Sequence, residues 1–233
     1  MPFDINAIPK VRLNQQSKGN VNIVKKYNRM YYLYRNNKQE MALDLYTNRE
    51  IKELYSSYDL GYGKVLMGGL GFGILALWLA SKPEVEHIHI VEISQDVVDI
   101  FLEKNTLPNN VTIEVADVNN YKSNEQYDCI LLDHYEFYTA ENQLASMQSI
   151  AKNIPNHNLF WSWNMESVYL ELAVEKEFDG LLKSNQDVSK QWDTFKSDIL
   201  AISKVPALTA EKINEYIYTY YNLMDSPYAN ISK

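Results

Sequence analysis

Cysteine is almost absent: Cys129 is the only one in 233 residues. A lone thiol cannot close an intrachain disulfide, so a stapled secreted scaffold is excluded and a reducing compartment is expected. Long apolar runs are missing too. The longest, Gly68 to Ala80, falls short of the roughly 18 residues that a membrane-crossing helix needs. No basic segment followed by an apolar one opens the chain, so no secretory leader is read. A cytoplasmic protein with no membrane association is expected. Positive charge is in deficit, with 22 Lys and Arg against 30 Asp and Glu and a net charge of -8. That field repels polyphosphates, so nucleic acid is not an expected partner. A local exception comprises Lys10, Arg12, Lys18, Lys25, Lys26, Arg29 and Arg35, which form either a solvated face or a basic surface for an acidic partner.

What is present suits a globular core: 46% hydrophobic residues and a mean hydropathy of -0.36. Three zones follow. Residues 1–60 read as an irregular arm, carrying Pro2, Pro9, Asn14, Gln15, Gln16, Gly19 and Asn20, and then a β-hairpin. Aromatic-rich Tyr27–Tyr34 and apolar Glu40–Tyr46 flank its turn, Asn36-Asn37-Lys38. Asn48 could cap a short helix containing Ile51, Leu54 and Tyr55.

Residues 61–164 alternate strands with helices. Strands are predicted at Lys64–Met67, His87–Val91, Val111–Val115, Tyr127–Leu132 and Asn158–Trp163. Helices are predicted at Gly73–Ser81, Gln95–Lys104 (with Ser94 as N-cap) and Ala140–Asn153. Such alternation gives a parallel sheet with right-handed crossovers, and near-continuous apolar strands call for cover on both faces. Residues 165–233 read as three helices, Met165–Lys183, Val188–Ser203 and Thr209–Met224. The expected fold is α/β: a Rossmann-like, mostly parallel sheet with helices on both faces, an N-terminal β-hairpin and a helical C-terminal extension.

The chemistry concentrates where strands end. Glycine numbers only eight, yet four stand in Gly68-Gly69-Leu70-Gly71-Phe72-Gly73 between a strand and a helix. Glycine lets backbone turn sharply and approach a ligand, and a helix N-terminus offers free N–H groups. Alone, the cluster could equally be a tight structural turn. About 20 residues on, the second strand ends in Glu92, where nucleotide-binding α/β folds place an acid against ribose hydroxyls. Asp117 follows the third strand, with Ile93 and Val118 able to flank a ring. The fourth strand ends in Asp133. In open α/β sheets the carboxyl ends of the strands form the ligand crevice, so all four positions should share one rim.

Gly68–Gly73, Val91-Glu92-Ile93, Ala116-Asp117-Val118 and Tyr127–Asp133 together resemble the class I S-adenosylmethionine-dependent methyltransferase superfamily, and especially its spermidine-synthase-like branch. The resemblance covers roughly residues 27–164. It implies S-adenosylmethionine as cofactor, with Gly68, Gly69, Gly71 and Gly73 at its methionine part and ribose. It also implies Glu92 on the ribose hydroxyls, Asp117 on the adenine amine, and Asp133 near the sulfonium and the acceptor. The loop lacks strict G-x-G-x-x-G spacing, which weighs against a dinucleotide. Where aminopropyltransferases carry an Asp-Ser-Ser-Asp-Pro-like stretch, this chain has Asp133-His134-Tyr135-Glu136-Phe137-Tyr138, and Gln39 is only near their hairpin glutamine.

Asp133, His134, Tyr135 and Glu136 are the candidate catalytic residues. His134 could be a general base or a hydrogen-bonded loop histidine. Tyr135 and Tyr138 could cup a cation or simply pack. Trp161 and Trp163 alternate and should share a face, as core or as an acceptor-site wall. His87 and His89 lack partners at metal-like spacing, so no metal site is expected. The leading reading is methyl transfer to a small or macromolecular acceptor. The alternatives are aminopropyl transfer, a lyase releasing methylthioadenosine, and a non-catalytic adenosyl-binding module. A small-molecule substrate is expected, and the C-terminal helices could mediate homo-oligomerisation.

Overall fold

The computed structural model describes residues 8–27, 30–44, 51, 53–133 and 140–163, with side chains of the last stretch from 145 onward. The expectations for Asn48, His134, Tyr135, Glu136, Tyr138 and the three helices of 165–233 lie outside the described residues.

Two sheets are formed. The first is antiparallel, with β1 (Gln16–Lys18), β2 (Val21–Lys26), β3 (Met30–Arg35) and β4 (Lys38–Asp44) in that order. The hairpin read from the sequence is β3–β4. Asn36 and Asn37 both take positive φ, 52° and 62°, between the paired residues Arg35 and Lys38. This is the two-residue loop whose twist matches that of the flanking strands, and asparagine tolerates its left-handed backbone. The irregular arm needs correcting. Its second half is β1, and the Gly19-Asn20 turn leads into β2. The sequence there alternates too weakly for a strand to be read, and pairing with β3 supplies the missing order.

The second sheet is wholly parallel, in the order β7-β6-β5-β8-β9. Its strands are β5 (Gly63–Gly68), β6 (Val85–Glu92), β7 (Val111–Val115), β8 (Tyr127–Leu132) and β9 (His157–Ser162). The helices are α1 (Tyr55–Leu60), α2 (Ile74–Ala80), α3 (Gln95–Leu102) and α4 (Ala140–Asn153). All five strands and three connecting helices fall where the alternation of the sequence put them, within two residues at most ends. From β5 the chain winds one way through α2 to β6 and through α3 to β7. It then crosses back to β8 and winds the other way through α4 to β9. Right-handed crossovers therefore put α2 and α3 on one face and α4 on the other. The reversal lies between β5 and β8, where such sheets open a crevice at their carboxyl ends.

Two helix ends are capped by side chains. Ser94 Oγ accepts the N–H of Val97 at the start of α3. Lys82 donates to the carbonyls of Tyr58, Asp59 and Gly61, placing a cation at the C-terminal end of α1. One apolar core runs through both sheets, from Val21, Ile23 and Leu33 to Val65, Ile88, Ile130 and Phe160. The first sheet is fastened to α3 by polar bonds as well. Gln16 Nε2 donates to the Ile100 carbonyl (3.1 Å), and Lys18 pairs with Asp99 (2.7 Å). Asn105 exchanges bonds with the Arg12 backbone.

Gly73, the residue before α2, has φ +76°, and a Cβ there would overlap the Phe101 ring of α3. Gly73→Ala should therefore cost about 2 kcal/mol or more, combining left-handed backbone strain with overpacking. Urea unfolding should show a lower midpoint at unchanged slope; an unchanged midpoint would contradict the packing described here.

Candidate functional site

A cavity of about 370 Å³ opens at the carboxyl ends of the parallel strands. This lies within the range of about 300–1,000 Å³ usual for small-molecule sites. Four strand ends contribute to it: Gly69 and Gly71 after β5, Glu92 and Ile93 at β6, Asp117 and Val118 after β7, and Asp133 after β8. Backbone bonds running past the strand ends hold these loops together. Gly69 N donates to Val91 O, Ala116 N to Glu92 O, and Asp133 N to Gly68 O, at 2.8–3.0 Å.

Glu92 is the organising side chain. It is only 6% exposed, and its two oxygens accept from two different loops. Oε2 takes the N–H of Leu70, inside the glycine loop, at 2.8 Å, and Oε1 takes the N–H of Ser94, the cap of α3, at 2.9 Å. A buried carboxylate needs such charge-assisted partners, and each oxygen keeps capacity for a further donor from the cavity. Asp117 is likewise engaged while lining the cavity. It accepts from Asn119 N (3.0 Å), Asn119 Nδ2 (3.2 Å) and Asn120 Nδ2 (2.7 Å), which fixes the turn after β7. Asn153 of α4 holds the same turn through the Asn119 carbonyl. Ile93 is 54% exposed at the rim, and Val118 is buried beneath.

The glycine loop divides its work. Gly69 and Gly71 line the cavity. Gly68 and Gly73 do not; a Cβ at Gly68 would press on Leu132, and Gly73 packs against Phe101. Gly71 has φ +53°, and a Cβ there would stand 2.8 Å from Met41 Sδ. At Gly71 the missing side chain thus leaves room for Met41 of the antiparallel sheet.

That closure was not read from the sequence. Leu33, Arg35, Glu40 and Met41 of β3 and β4 form a wall of the cavity, whereas Gln39 is exposed. Glu53, a buried acid just before α1, also went unread. No periodicity signals these residues, because their role arises from the docking of one sheet on the other. The two tryptophans have different surroundings. Trp161 is buried and its ring N–H donates to Ser56 Oγ at 3.1 Å, while Trp163, past the strand end, lines the cavity. Cys129 is buried in the core, and loss of solvent pushes its thiol up to about 12. His87 and His89 share the Thr112 hydroxyl (3.0 and 3.1 Å) on the sheet face, and Tyr121 bonds His89, away from the cavity.

Asp133 carries the clearest electrostatic signature. Burial first, and then the Glu53 carboxylate, raise its carboxyl from 3.8 to about 6. Between these values the folded protein keeps a proton that the unfolded chain has released. Stability should therefore fall as pH rises from about 4 to about 6 and stay lowered above. Asp133→Asn removes this contribution. The difference in unfolding free energy between variant and wild type should grow across that window by on the order of 2–3 kcal/mol. A pH-independent difference would show that Asp133 is not perturbed.

No protein-family profile matches the chain, and no curated protein matches it in sequence. Solved structures resemble it in fold. The spermidine synthase from Thermotoga maritima aligns at 15% identity with a TM-score of 0.45, over 60% of this chain and 52% of that one. The N-methyltransferase NodS from Bradyrhizobium japonicum WM9 aligns at 13% identity with a TM-score of 0.38, over 46% and 62%. S-adenosylmethionine-bound CalS10, an amino pentose methyltransferase from Micromonospora echinaspora, aligns at 13% with a TM-score of 0.33, over 45% and 44%. The match thus spans less than two thirds of each of these structures, and the likeness is one of fold alone.

Proposed function

We propose that the cleft binds S-adenosylmethionine and that the protein transfers its methyl group to a small-molecule acceptor. The observation that carries this is the convergence of four strand ends, each bearing the residue type an adenosyl ligand needs, on one cavity of suitable size. Glu92 would accept the ribose hydroxyls on the lone pairs left by Leu70 and Ser94. Ile93 and Val118 would sandwich the adenine, with Asp117 at its amine. Gly69 and Gly71 would let the chain of the ligand pass close to the backbone. The same arrangement speaks against a dinucleotide, since the loop lacks the spacing that cradles a pyrophosphate.

In the reaction, a lone pair of the acceptor forms a bond to the methyl carbon as the carbon–sulfur bond breaks. The electron pair stays on sulfur, leaving a neutral thioether. Displacement of this kind gains most from alignment of the two reactants. Asp133, which lines the cavity and is ionised above about pH 6, would take the proton that the acceptor releases. Trp163 would wall the acceptor side.

Incubation with S-adenosylmethionine and a panel of amine and hydroxyl acceptors should yield S-adenosylhomocysteine, with kcat/KM rising through about pH 6. Methylthioadenosine as product would replace methyl transfer by cleavage of the amino-acid-bearing chain from the sulfonium, as in a lyase. Methylthioadenosine formed only from the decarboxylated ligand and an amine would mark aminopropyl transfer, and binding without turnover would favour a non-catalytic module. Glu92→Ala should weaken S-adenosylhomocysteine binding by about 1–3 kcal/mol in calorimetry, from loss of a charged acceptor. Unchanged affinity would remove Glu92 from the ribose role.

A further inference from the structure

We propose that the Arg35–Glu40 pair on the antiparallel sheet is the subsite for an α-amino-acid head group, and so reads whether the adenosyl ligand carries its carboxylate. The inference rests on the adenosyl reading of the cleft and adds to it the chemistry that the N-terminal wall recognises.

The pair is placed by an irregularity in the hairpin. Leu33 pairs with Met41 and Tyr34 with Gln39, so the register shifts and Glu40 is an extra residue in β4. A bulge of this kind re-aims a side chain, and bulges recur beside functional sites. In a regular strand Glu40 and Met41 would point to opposite faces. Here both line the cavity, together with Leu33 and Arg35, which lie two apart on β3 and share a face. Met41 rests on Gly71, so this wall stands directly across from the glycine loop.

The charges are complementary to a zwitterion. Arg35 Nε donates to Glu40 Oε1 at 2.6 Å, and the two side chains are only 17% and 18% exposed. Drawing an ion pair out of water is costly, and further partners for its remaining donors and acceptors offset that cost. Among the described lining residues the other charged groups are Glu92, Asp117 and Asp133, all acidic, so Arg35 is the sole cation there. S-adenosylmethionine brings a sulfonium, an α-ammonium and one carboxylate. The acids suit the cations of the ligand, and among the described lining residues the carboxylate has a single cationic counterpart. The planar fork of a guanidinium matches a carboxylate in two bonds, while Glu40 beside it can accept from the ammonium. A decarboxylated ligand would leave Arg35 without that partner. The pair therefore selects the ligand for methyl transfer over the one that aminopropyl transfer requires.

The test compares S-adenosylhomocysteine, which has the head group, with methylthioadenosine, which lacks it, by calorimetry on the full chain. The wild type should prefer S-adenosylhomocysteine by about tenfold or more. Arg35→Gln should abolish the preference while leaving methylthioadenosine affinity within about twofold, which also reports that the cleft is still folded. Arg35→Lys should retain part of it, and Glu40→Gln should reduce it. A preference that survives in Arg35→Gln, or loss of both ligands together in that variant, would overturn the proposal. Equal affinity of the wild type for the two ligands would overturn this inference alone. Failure of the wild type to bind either would overturn the adenosyl reading and this inference with it.

Discussion

One buried carboxylate joins the two loops on which the cleft depends. Glu92 ends β6, yet its oxygens are held by Leu70 from the turn after β5 and by Ser94 from the start of α3. Removed from water, the group is stable only while such donors face it. The glycine loop and the cap of α3 are therefore positioned together, and the remaining acceptor capacity of the same side chain faces the cavity. One residue thus both ties the loops and lines the cavity.

The second constraint is the docking of the antiparallel sheet. A parallel sheet by itself presents an open rim at its carboxyl edge. Here β3 and β4 cover that rim, with Met41 seated on Gly71 and β1 fastened to α3. Much of the basic segment is engaged within this sheet or against α3. Lys18 pairs with Asp99, Arg35 with Glu40, and Lys25 and Lys26 lie over the rings of Tyr31 and Tyr32. These four cations thus each have an intramolecular partner.

The acidic rim is graded in environment. Glu92 and Asp117 accept hydrogen bonds from backbone or amide N–H groups. Asp133 is withdrawn from water beside another acid, which leaves its proton more tightly held. Identical chemical groups on neighbouring strand ends thereby sit in different environments.

The sequence by itself determined the parallel domain. Apolar strands alternating with capped helices, a glycine cluster and three strand-terminal acids left little freedom, because periodicity and local capping act over a few residues and are written contiguously. The Asn36-Asn37 turn was legible for the same reason. The weak strands β1 and β2 were not, nor were the roles of Arg35, Glu40, Met41, Glu53 and Trp163. The split of the glycine loop into lining and packing residues was equally hidden. Those depend on which surfaces meet after folding: a strand bulge that turns Glu40 inward, and a sheet laid over a loop more than twenty residues away. Such contacts join residues distant in the chain and leave no local pattern, so only the tertiary structure decided them.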